Sequence, residues 1–185
     1  VAPFHVDDRA CFIPCFDHRV YAFPLSGGEP IWRFTCKGVL ADPIQVSINS
    51  VFQYARGEGL YALDAATGRP RWYMPAGRRV LASLAGAKGP TAYVVDASGN
   101  LLVVDELLGR VEESIPLTGV DLFADNTRAP AIYVGSRSGS LYCLRPLGAG
   151  HLTAEQLKGS KPAAAAAAAA GAPATAAPAA APGAA

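Results

Sequence analysis

The chain has 185 residues and a formal net charge of +1. That near-neutral balance leaves no electrostatic footprint for nucleic acid or for a strongly acidic substrate. Hydrophobic residues make up 51% of the chain, but much of that share is alanine beyond position 160, where the sequence is almost only Ala, Pro and Gly and offers no large side chain to a core.

The elements repeat in chain order. A β-prone segment at 1–6 leads to Phe12, then the turn Phe16-Asp17-His18, a strand through Val20, a turn ending at Gly28 and a strand at 30–34. The same order returns with 43–46, Phe52, the turn Ala55-Arg56-Gly57-Glu58, Leu60, Gly68 and 70–74. It returns again with 80–84, Tyr93, the turn Asp96-Ala97-Ser98-Gly99, Leu101, Gly109 and 110–115. A fourth pass runs through 120–123, Tyr133, the turn Ser136-Arg137-Ser138-Gly139 and Leu141, then breaks at Arg145-Pro146 before a last strand. Phe12, Phe52, Tyr93 and Tyr133 each stand eight positions before Val20, Leu60, Leu101 and Leu141, and the period is about forty residues. Short runs rich in Val, Ile, Tyr and Phe between Gly, Pro and Asp turns predict strands and not helices.

Each unit therefore predicts a four-stranded antiparallel sheet, the last one incomplete. One such sheet leaves both faces for its neighbours to cover, which predicts an all-β propeller over residues 1–146. Residues 147–160 are expected to be a connector with a short helix starting at Thr153, and 161–185 an Ala/Pro-rich disordered tail. The tail has the length of a membrane span, but Pro173, Pro178 and Pro182 interrupt it, and a flexible spacer is the preferred reading over an anchor. The chain begins with Val1, inside a strand-like segment. This suggests a larger ring of seven or eight blades, with missing blades or a fused domain upstream.

The second unit carries the fullest motif: Ala62, Asp64, Thr67, Gly68 and Trp72. Asp64 and Thr67 accept backbone N–H bonds in a turn, Gly68 supplies a left-handed residue, and Trp72 has a large face to bury. The first unit keeps Ala22, Gly28 and Trp32 but has Pro24 in the Asp column. The third keeps Asp105 and Gly109 but has Val103, Leu108 and Glu113 in the Ala, Thr and Trp columns. This pattern resembles the PQQ-like, or quinoprotein-like, repeat family that includes BamB-like proteins. The resemblance covers residues 1–146 and is strongest in the centre.

The resemblance implies that Trp32 and Trp72 dock adjacent blades; stacking on carbohydrate is the alternative. It implies a non-catalytic scaffold for protein partners, BamB-like or an envelope or sensor module, in the periplasm or cell envelope, with the cytoplasm left open. The alternative is a fragment of a PQQ-dependent dehydrogenase whose active-site residues lie outside this chain. Such enzymes carry adjacent cysteines and a matching acidic and Asn ligand set, and Asp42, Asn49, Asp121, Asp125 and Asn126 stand in no such motif. No catalytic, cofactor or metal residues are assigned. Ser26-Gly27-Gly28 has no following Gly-Lys, so it is not a phosphate loop, and Gly135-Ser136-Arg137-Ser138-Gly139 is not a nucleophile elbow. Cys11, Cys15, Cys36 and Cys143 are expected as buried, reduced core residues, ahead of a disulfide or a metal site, because His5, His18 and His151 lack ligand spacing. Arg69, Arg71, Arg78 and Arg79 read as a solvated loop rim, ahead of a phosphate site.

Overall fold

The computed structural model describes residues 3–86, 89–124 and 131–145. Among them are fifteen strands and no helix. The first sheet is β1 (His5–Val6), β2 (Cys11–Pro14), β3 (Arg19–Phe23) and β4 (Trp32–Thr35). The second is β5 (Gln45–Val46), β6 (Ser50–Ala55), β7 (Gly59–Asp64) and β8 (Pro70–Met74). The third is β9 (Gly77–Gly86), β10 (Gly89–Asp96), β11 (Asn100–Asp105) and β12 (Val111–Pro116). The fourth has β13 (Leu122–Ala124), β14 (Ile132–Gly135) and β15 (Leu141–Leu144). In every sheet sequential strands are neighbours and all pairs are antiparallel. These are the four blades of a partial β-propeller, and the last is a strand short among the described residues. Residues 1–146 form one compact unit. The expected Thr153 helix and the Ala/Pro-rich tail lie outside the described residues.

The register turns the sequence columns into rows across each sheet. Phe12 pairs with Ala22 and Ala22 with Trp32. Phe52 pairs with Ala62 and Ala62 with Trp72. Tyr93 pairs with Val103 and Val103 with Glu113, and Tyr133 pairs with Cys143. Alternation along a strand then sends each row to one face of its blade. That face is called forward here, because it meets the next blade in the chain.

Three apolar cores fill the spaces between blades. Phe12, Val20, Ala22 and Trp32 of the first blade meet Val51, Leu63 and Ala65 of the second. Phe52, Leu60 and Ala62 meet Ala92, Val94, Leu102 and Val104 of the third. Leu81, Val95 and Leu101 meet Ile132 and Val134 of the fourth. A fully buried Leu or Phe contributes about 1.5–3 kcal/mol, so these cores, and not the turns, hold the stack together. β12 is exposed throughout, which follows from Glu113 in the Trp column: a carboxylate has no reason to lie between blades.

The hairpins that join β2 to β3, β6 to β7, β10 to β11 and β14 to β15 each carry a residue at positive φ, and the first blade differs in which residue it is. Gly57, Gly99 and Gly139 have φ of 81°, 82° and 101°, but in the first blade His18 takes φ 67°. Its ring Nδ1 lies 2.9 Å from the Gly38 carbonyl, and Asp17 accepts the Arg19 amide and the Tyr21 hydroxyl beside it. Side-chain bonds thus hold a backbone conformation that glycine adopts elsewhere.

Candidate functional site

The motif residues build a repeated joint between blades. In the turn after β7, Asp64 Oδ1 accepts the amides of Ala66 and Thr67 at 3.1 and 2.8 Å and the Thr67 hydroxyl at 2.9 Å. Its Oδ2 accepts Arg71 at 2.5 Å. The Gly68 amide closes the turn on the Asp64 carbonyl at 2.8 Å. Burial raises the Asp64 carboxyl, and the Thr67 hydroxyl and amide, the Arg71 guanidinium and the Ala66 amide together outweigh it, so the group lies below its ordinary value. In the turn after β11, Asp105 Oδ1 accepts Leu107 and Leu108 amides, both at 2.9 Å, and Gly109 closes on the Asp105 carbonyl at 2.8 Å. The two turns are the same object. The first blade lacks it: with Pro24 in the Asp column, the closing bond comes from Gly27, one residue earlier.

The preceding blade's tryptophan docks on each turn. Trp32 Nε1 donates to the Ala65 carbonyl at 3.0 Å, and Trp72 Nε1 donates to the Glu106 carbonyl at 2.7 Å. Ala65 and Glu106 each follow the turn's Asp. The indole of Trp32 covers Gly68 and that of Trp72 covers Gly109, so a methyl group at either glycine would run into the ring. The glycines also have φ of 69° and 71°, so they answer two demands at once. Phe12 and Trp32 have ring centroids 5.9 Å apart at 43°, and Phe52 and Trp72 repeat this at 5.9 Å and 45°.

Glu106 went unnoticed in the sequence. It is fully buried; Oε1 accepts the Ser47 hydroxyl at 2.6 Å and Oε2 accepts the Ser83 hydroxyl. Ser47 belongs to the second blade and Ser83 to the third, so one carboxylate ties both. The available signal was its place directly after Asp105, in the column where Ala65 is buried.

Other expectations are corrected. Of the four cysteines only Cys36 is buried; Cys11 and Cys15 are half-buried and Cys143 is exposed, and all four are free thiols. The reason is that Cys36 alone lies inside the core between the first two blades. Burial, with the Glu58 charge adding to it, pushes the Cys36 thiol up to about 12. Of the four arginines, Arg69 and Arg78 are exposed and Arg71 and Arg79 half-buried; Arg71 pairs with Asp64, while Arg78 and Arg79 line a cavity of about 60 Å³ with Asp42 and Gln45. Between the third and fourth blades lies an apolar cavity of about 610 Å³, lined by Tyr93, Leu101, Ile115, Ile132, Val134 and Leu144. No group of His, Cys, Asp or Glu among the described residues has the makings of a metal site.

The loops that join the first strand of a blade to its second, and the third to its fourth, lie at one end of the blades, where Arg9 of the first blade donates to the Ile48 carbonyl of the second, and to that of Ser47 at 2.9 Å. Large aliphatic side chains stand in solvent there: Ile48 at 85%, Leu108 at 74%, Leu25 at 55% and Ile31 at 52% exposure. In the second blade the same turn carries the polar Thr67, bonded to Asp64.

The sequence matches the family described as outer membrane protein assembly factor BamB over residues 2–170. No curated protein matches it. Among solved structures, BamB from Moraxella catarrhalis superposes with a TM-score of 0.59 at 18% identity, over 76% of this chain and 45% of that one. The computationally designed Ika4 protein gives 0.55 at 11% identity over 78% of this chain and 89% of that one. The designed Ika8 protein gives 0.55 at 11%, over 78% and 45%. At these identities the likeness is one of fold, and the chain spans less than half of the BamB structure it matches.

Proposed function

The chain belongs to the family of the outer membrane protein assembly factor BamB, and on that premise we propose that it is a non-catalytic scaffold that binds a protein partner at the cell envelope. The observation that carries this reading is the loop end with Leu25, Ile31, Ile48 and Leu108 in solvent. Apolar side chains gathered at one end of a rigid stack are what a protein partner covers. The motif polar groups are already committed elsewhere: Asp64 and Asp105 close turns, and Glu106 ties two blades. They serve the scaffold, and the loops they hold in place carry the recognition. No specific observation favours the alternative of a quinone-dependent dehydrogenase fragment.

The test is binding of the purified chain to purified outer membrane protein assembly machinery, read by biolayer interferometry. The double variant Ile48→Asp, Leu108→Asp is expected to weaken binding at least tenfold, because a charge cannot be buried unpaired at an interface. Both positions are exposed, so the fold should survive. No binding by the unaltered chain, or equal binding by the double variant, overturns the reading.

A further inference from the structure

Each junction between blades forms a socket, and at the first two junctions the preceding blade's outer strand fills it with an indole. At the second junction the ring of Trp72 lies beside Phe52 and over Gly109, packed against the core that holds Leu60, Val94 and Val104. At the third junction the same columns line the cavity of about 610 Å³. Tyr93, Leu101 and Ile115 stand where Phe52, Leu60 and Met74 stand one repeat earlier. Ile132, Val134 and Leu144 stand where Ala92, Val94 and Val104 stand. The indole is what differs, because the Trp column holds Glu113 and its strand is exposed throughout. The cavity therefore follows from a substitution inside the repeat. No β12 residue belongs to the core at the second junction, so the socket does not need the fourth strand of the blade that follows it.

The walls suit a flat apolar ring. Leu101, Ile132 and Val134 are buried, while Thr118 and Tyr142, the hydroxyls at its margin, are exposed. Glu113 stands in the row of Tyr93, whose hydroxyl is raised by burial and further by the Glu113 charge. Arg145 brings a cation to the same lining. With one charge of each sign at hand, neither an anion nor a cation gains a clear advantage. Small-molecule sites are mostly apolar clefts of about 300–1,000 Å³ with few polar groups, and this cavity has that size and character.

We propose that the socket between the third and fourth blades binds a small neutral aromatic molecule of the indole class, in the place that Trp32 and Trp72 fill at the other two junctions. Tyr93 offers the ring neighbour that Phe52 offers Trp72. Both tryptophans donate their N–H at their joints, and Glu113 supplies an acceptor in the same column. This site is separate from the loop end that carries the exposed aliphatic side chains, and its occupancy does not depend on a protein partner there.

The experiment is fluorine NMR of a fluoroindole titrated with the full chain. One saturable site per chain is expected, with nuclear Overhauser contacts from the bound ring to the methyl groups of Ile132 and Val134. Glu113→Trp gives the third blade its own indole at an exposed position. It is expected to keep the parent's β-sheet circular dichroism, raise the urea midpoint as cavity-filling changes do, and weaken fluoroindole binding at least tenfold. Glu113→Gln leaves the socket open with an oxygen acceptor, and is expected to bind like the parent. Absence of saturable binding, Overhauser contacts elsewhere on the chain, or equal binding by a folded Glu113→Trp overturns the proposal. Should that variant fail to fold, the contacts to Ile132 and Val134 decide alone.

Discussion

Asp64 is held below its ordinary value by Thr67, Arg71 and the Ala66 amide, against the upward push of burial. A carboxyl whose value falls on folding stabilises the fold fully above its unfolded value of about 3.9. That contribution disappears as pH drops through the lower folded value. Asp64→Asn keeps an oxygen for the turn amides but has no proton to gain. Between pH 7 and pH 2.5 the parent's urea midpoint is expected to fall further than the variant's. Asp7, Asp17 and Asp96 are lowered too, but they titrate in both proteins, so the difference isolates Asp64. Equal falls would mean that the Asp64 charge adds nothing to the turn.

At the scale of the element, the joint between β8 and the turn after β11 carries more than its one hydrogen bond. Trp72→Ala removes the ring from Phe52, empties the space over Gly109 and leaves the Glu106 carbonyl without its indole donor. Large-to-small changes of this kind cost about 3–5 kcal/mol, and denaturant melts would measure it. A loss under about 1 kcal/mol would show that the ring rests on the surface. The turn and the strand at this joint were legible in the sequence. Asp64, Thr67, Gly68 and Trp72 each have a local preference that their spacing exposes. The partner of each tryptophan was not legible, because it is a backbone carbonyl a whole blade away, and any residue presents a carbonyl. Glu106 was hidden for a related reason: a lone glutamate in a loop reads as solvated until Ser47 and Ser83 arrive from two other segments. The cysteines misled because burial depends on which blade has a neighbour. Cys36 and Cys143 look alike locally, and only one has a covered face.

In the whole molecule, stability should decline toward the last blade. Two interfaces carry a tryptophan joint, and the third has Glu113 in that column and a cavity of about 610 Å³ beside it. A linear stack opens from its weakest junction. Amide hydrogen exchange is expected to release β14 and β15 before β6, β7 and β10. Uniform protection across the four blades would refute this. The tryptophan joints also have a direction. Trp32 reaches its acceptor 33 residues later in the chain, and Trp72 reaches its own 34 residues later. Contacts of such short span form quickly for a β protein. At each of these two joints a blade is therefore locked by the one synthesised after it. A nascent chain leaving a ribosome, or a thread entering a compartment amino end first, would close like a zipper whose slider follows the last residue delivered. At each step of delivery, the newest blade's forward face would be the seam waiting to close.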